Sequence, residues 1–207
     1  MAIKIKYDYF EAHNNLGNVL VKLHKDKEGI KCFSEAIKIK PNYVEAHNNL
    51  GIALNKLGDF EKSKKHFYKA IELKPNFGNA YSNLAASFFY QGEFEKAIEN
   101  YNTAFKLDPK KTQYAINANL ILPTVPRSIE DLNFWRNKYN SAIEALKKYK
   151  HSIGDPQKML NPSTFCLAYG DLNNLEIMKK ISGLFRKILP IINYRIEKKD
   201  TKKSQNN

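Results

Sequence analysis

Cysteine is scarce: Cys32 and Cys166 are the only two in 207 residues. They are too few for a disulfide framework and too far apart for a metal-ligand spacing. They fit a reducing compartment, so a cytoplasmic location is expected. Long apolar runs are also missing. The opening MAIKIKYDYF has no signal-peptide core. The late stretch ISGLFRKILPIINY is cut by Arg186, Lys187 and Pro190 before the ~20 residues a membrane span requires. No membrane partner is expected. Nor are there glycine-rich turns between alternating strands and helices, which excludes a nucleotide-binding parallel sheet within this sequence. The five histidines, His13, His24, His47, His66 and His151, form no constellation suited to acid–base work. The sequence thus gives no catalytic residue, metal ligand or cofactor site. Arginine is sparse beside lysine, and the lysines are scattered. The net charge of +13 therefore reads as solvated helix faces and argues against nucleic acid, whose binding would weaken steeply with salt.

What the sequence does have is a repeat, and fixed-period self-similarity outranks local propensity. At a spacing of 34, Leu16-Gly17 aligns with Leu50-Gly51 and Leu84-Ala85. Ala36, Ala70 and Ala104 keep the same phase, as do Pro41, Pro75 and Pro109. Aromatics recur at Phe33, Phe67 and Tyr101, and small residues at Gly29, Ser63 and Ala97. Apolar spacing predicts two amphipathic helices per unit, at 10–23 and 27–39, 44–57 and 61–73, 78–91 and 95–107. Small residues let helix backbones approach, and each proline stands where the second helix must stop. Gly58 and Gly92 mark turns that want a left-handed residue. In the first unit His24 takes that place, so its turn is expected to be strained or differently shaped. The pattern resembles the tetratricopeptide repeat (TPR). The expected fold is all-α: a TPR superhelical solenoid of about three repeats plus a partial N-terminal one, then a helical linker region and a disordered basic tail.

The expected divisions are a remnant of a preceding second helix at 1–9 and repeats at 10–43, 44–77 and 78–111. A capping helix at 112–122, a linker helix at 128–150, a helical segment at 155–194 and a tail at 195–207 follow. Ala2 and Tyr7 stand where Ala36 and Pro41 stand one unit later, which makes the opening read as the end of a unit begun outside the chain. Uncapped solenoid ends, with Ile3, Ile5 and Tyr7, are expected to favour self-association. Beyond Pro126, Ser128 opens a helix with Asp131 as the acidic partner of a capping box. Leu132, Trp135, Tyr139, Ile143 and Leu146 fall on one side of it.

The stretch PRSIEDLNFWRNKYNSAIEAL resembles the linker helix of bacterial TPR-containing protein O-GlcNAc transferases and Spindly-type enzymes. The block NPSTFCLAYGDLNNLEIMKKISGLFRKILP is similar to the family block that follows, through Pro162, Phe165, Leu167, Ala168, Tyr169, Asn173, Arg186 and Pro190. The resemblance implies a sugar transferase using UDP-N-acetylglucosamine. Its catalytic lobes have no counterpart in this sequence, so no donor-binding or catalytic residue carries over. The expected role is protein–protein interaction: extended peptides held in the groove lined by each first helix, as the substrate-recruiting part of such an enzyme. The alternative is a self-standing TPR adaptor. Asn15, Asn49 and Asn83 hold one inward phase, and a carboxamide both donates and accepts, so it can grip a peptide backbone without reading side chains. The transferase family carries such an asparagine ladder. Asn14, Asn48, Ser82, Asn18, Asn55, Lys22, Lys56 and Tyr90 are further groove candidates. A carboxylate clamp for chain termini expects Lys before each ladder Asn, where this chain has Asn14, Asn48 and Ser82.

Overall fold

The computed structural model describes residues 2–121, 128–146, 179, 180 and 183. All regular structure among them is α-helical. Of the expectations above, those for the 155–194 segment apart from residues 179, 180 and 183, the 195–207 tail, His151 and the side chains of Ile3, Ile5 and Tyr7 lie outside these residues or side chains. So do those for Leu132 and Leu146.

The first unit spans Met1–Pro109 and holds α1 (Ala2–Lys22), α2 (Asp26–Ile39), α3 (Val44–Lys56), α4 (Phe60–Leu73), α5 (Gly78–Tyr90) and α6 (Phe94–Leu107). These pack as three antiparallel pairs, α1 with α2, α3 with α4 and α5 with α6, with α2 also packing on α3 and α4 on α5. The first helices touch in turn, α1 with α3 and α3 with α5, which sets them side by side along one face.

Local chemistry accounts for the pairing. Gly17 and Gly51 let the aromatic of the partner helix lie against the backbone. A Cβ on Gly51 would stand 2.5 Å from Phe67, whose ring is fully buried. Ala36, Ala70 and Ala104 are likewise fully buried. Lys40, Lys74 and Asp108 leave the helix for extended backbone, because the proline after each disfavours the helical region. The turn residues Gly58 and Gly92 have φ of 78° and 77°, and His24 adopts the same left-handed conformation at φ 60°. The first turn therefore has the shape of the others despite its side chain.

The opening differs from expectation. The 1–9 segment and the first helix of the first repeat form a single helix, α1, with no turn at Tyr7. Tyr7 keeps the backbone N–H and the free φ that Pro41, Pro75 and Pro109 lack, so nothing stops the helix there.

The second unit begins at Lys110. Its α7 (Thr112–Asn119) packs against α8 (Ile129–Leu146). The Ser128 hydroxyl accepts a hydrogen bond from the Asp131 backbone N–H at 3.1 Å, which caps α8. Trp135, Tyr139, Ala142 and Ile143 form its buried side.

Candidate functional site

The face shared by α1, α3 and α5 carries the recurring asparagines. Asn15 is exposed, and Asn49 and Asn83 are half-buried. The neighbouring Asn14 and Asn48 are buried between repeats instead of lying open to the groove. Asn49 Nδ2 donates to Asn14 Oδ1 at 2.9 Å, and Asn83 Nδ2 donates to Asn48 Oδ1 at 2.8 Å. The same bond thus recurs across both repeat junctions. Asn48 Nδ2 approaches Asn49 Oδ1 at 3.5 Å, a long contact that joins the two bonds into one chain of amides. A carboxamide has two N–H donors and two oxygen lone pairs. One bond to the preceding repeat therefore orients Asn49 or Asn83 while leaving a donor and an acceptor for a ligand.

The other candidates divide. Asn18 and Ser82 are half-buried, and Lys22 is exposed. Lys56 Nζ donates to the Val21 carbonyl at 3.2 Å and meets Asp26 Oδ1 at 3.5 Å, the latter an ion pair without hydrogen-bond geometry. Tyr90 is exposed, and its ring stacks on Phe60 at 5.6 Å. Asn55 points inward: its Oδ1 accepts from Ser63 Oγ and, at 2.9 Å, from Ser87 Oγ. Both serines are fully buried and lie 3.0 Å apart. This polar knot ties α3, α4 and α5 together, and its sequence signal was present in Ser63 at the small-residue position.

One histidine pair forms where none was expected. His47 and His66, on antiparallel helices, bring their Nδ1 atoms to 3.1 Å. His47 Nε2 lies 2.9 Å from the Pro41 carbonyl, which can only accept, so Nε2 carries the His47 proton. His47 Nδ1 is then the acceptor and His66 Nδ1 the donor. Burial lowers the pKa of His47, opposed by that bond to Pro41. Burial, followed by the proximity of His47, lowers His66 to about 4. The pair packs a helix junction and has no third ligand beside it: among the described residues no group of three metal-ligating side chains occurs.

Residues 44–77 and 78–111 each match the tetratricopeptide repeat model, and residues 25–58 match a second TPR repeat model. Residues 25–111 are thus tetratricopeptide repeats. Solved TPR structures share the fold. MamA from Desulfovibrio magneticus RS-1 (residues 41 to the end) is 21% identical over 67% of this chain and 72% of its own, with a TM-score of 0.54. A crystal structure of MamA gives 20% identity, 72% and 86% coverage, and a TM-score of 0.54. The second TPR domain of human RPAP3, in complex with the HSP70 peptide SGPTIEEVD, gives 19% identity, 55% and 94% coverage, and a TM-score of 0.52. No curated protein matches the chain. Among the described residues no helix is long and apolar enough to cross a membrane.

Proposed function

We propose that the TPR repeats bind extended peptide segments of partner proteins along the face of α1, α3 and α5. The carrying observation is the repeated amide bond, Asn49 to Asn14 and Asn83 to Asn48. It holds the ladder carboxamides at one phase, so a peptide laid across the helices would meet pre-oriented donors and acceptors. Fixing these groups before binding reduces the ordering cost of association. Asn15, Asn49 and Asn83 are the contacting residues, Asn14 holds Asn49 and Asn48 holds Asn83, and Lys22 and Tyr90 border the face. The human RPAP3 domain, a fold neighbour, was solved with a bound peptide, which supports peptide binding by this architecture.

Recognition here is directed to the peptide backbone, not to a terminal carboxylate. The positions before the ladder are Asn14, Asn48 and Ser82, the first two buried, and none offers a cation. Binding to immobilised peptides tests this. Amidating the peptide C-terminus should leave affinity unchanged, whereas N-methylating successive backbone amides should weaken it at least tenfold. A loss on amidation, with no effect of N-methylation, would overturn the proposal.

Recruitment of substrates to a protein O-GlcNAc transferase-like enzyme, in the cytoplasm, is the finer form of this role. Its support is the sequence of 126–146 and 162–190, the latter largely outside the described residues. Co-purification with a UDP-sugar transferase activity that needs Asn49 and Asn83 would favour it; peptide binding without such activity would favour a self-standing adaptor.

A further inference from the structure

The outer face of α1 and the turn after it carry a stripe of Tyr9, Ala12, Leu16, Val19 and Leu23, all exposed. The middle of this register is covered in the later repeats by the preceding helix pair: Leu16 is 51% exposed, but Leu50 is 4% and Leu84 is 1%, while Leu57, the counterpart of Leu23, stays exposed. An outer helix face left open to water is ordinarily polar, and here that face is apolar. The stripe also differs in shape from its counterparts. Where α3 and α5 place Ala53 and Ser87, both fully buried, α1 has the larger Val19. Small residues at Ala53 and Ser87 allow close repeat-to-repeat approach; Val19 does not. Residues 9, 12, 16, 19 and 23 keep the alternating three–four spacing that also suits a two-helix seam, whose packing tolerates a bulkier side chain such as Val19.

We infer that this stripe is the interface of a homodimer, in which α1 packs antiparallel against α1 of a second copy. Charge sets the direction. Glu11 flanks the N-terminal part of the stripe, while Lys22 and Lys25 flank its C-terminal end; all three are exposed. An antiparallel pair places Glu11 of each copy near Lys22 and Lys25 of the other, and it opposes the two helix dipoles. A parallel pair would align like charges. In the antiparallel register Leu16 and Val19 of one copy meet Val19 and Leu16 of the other, and Ala12 meets Leu23. Such a contact is isologous and closes at two copies. Lys22 also borders the peptide-binding face, whereas Asn49 and Asn83 lie on α3 and α5, outside the contact.

Sedimentation of the full chain across a concentration series tests the interface. The expected result is a reversible monomer–dimer equilibrium. Leu16→Glu with Val19→Glu should weaken it at least a hundredfold, with helical content retained because both positions are exposed. Glu11→Lys should weaken it about tenfold, and adding Lys22→Glu and Lys25→Glu should restore it. A chain that stays monomeric, a dimer indifferent to Leu16→Glu with Val19→Glu, or charge reversal without restoration would each overturn the inference. A dimer seen only with a separately supplied helix pair seated on α1 would assign the stripe to another repeat, and would overturn it as well.

Discussion

Replacing Asn48 by Ala separates holding from contacting. Asn48 is buried and accepts from Asn83 Nδ2 at 2.8 Å; its own donation to Asn49 is long, at 3.5 Å. A short neutral hydrogen bond contributes about 1 kcal/mol net, and a donor left unpaired adds about 1–3 kcal/mol when fully buried. Asn83 is only half-buried, so water can reach it and the second contribution falls at the low end. The expected loss is about 1–2 kcal/mol, which for a domain of this size lowers the melting temperature by roughly 4–15 °C. Urea unfolding followed by circular dichroism measures it. Asn15→Ala, at an exposed position, should change stability by less than about 0.5 kcal/mol. Combining Asn48→Ala with Asn83→Ala gives the coupling, expected at about 0.5–1.5 kcal/mol. Additive single effects, or an Asn48→Ala variant as stable as the parent, would refute the assignment of Asn48 as the residue that holds the ladder.

Three other outcomes follow from the packing. Gly51→Ala gains helix propensity of about 0.5–1 kcal/mol, but its Cβ meets the fully buried Phe67 ring at 2.5 Å. Overpacking of about 1–3 kcal/mol should win, so the variant unfolds at lower urea, while Gly51→Ala with Phe67→Leu recovers part of the loss. His24→Gly removes the Cβ from a left-handed residue at φ 60° and should raise stability by up to about 1 kcal/mol; lower stability in calorimetry would contradict it. The His47–His66 pair makes stability fall with acid. Both folded pKa values lie below the unfolded value of 6.5, that of His66 at about 4. The unfolded chain therefore binds more protons between about pH 6.5 and 4. Stability is full above that window and is lost on descending through it; His66→Phe should flatten the slope, as read from melting temperature against pH.

The repeat was legible because its signals are local and redundant. Leu-Gly, the recurring alanines and the prolines each state a steric need, and several occupy one phase in every unit. The turn at His24 was readable as a place but not as a shape, since the neighbouring helices impose the left-handed conformation. The continuous α1 departs from expectation for the converse reason: Tyr7 permits what proline forbids. At the candidate site the phase of Asn15, Asn49 and Asn83 was visible in the sequence. The division of labour was not, because adjacent asparagines look alike until packing buries Asn14 and Asn48. The same holds for Asn55, whose partners Ser63 and Ser87 come from two other helices, and for His47 and His66, which join only when α3 folds back on α4.

The central claim is that a ladder of carboxamides binds extended peptides. Isothermal calorimetry with an extended, terminally blocked peptide selected for binding tests it, comparing the parent with the combined Asn15→Ala, Asn49→Ala and Asn83→Ala variant. The account predicts a drop in affinity of at least tenfold with circular dichroism still showing a folded helical chain. Equal affinity in a variant that remains folded would contradict it.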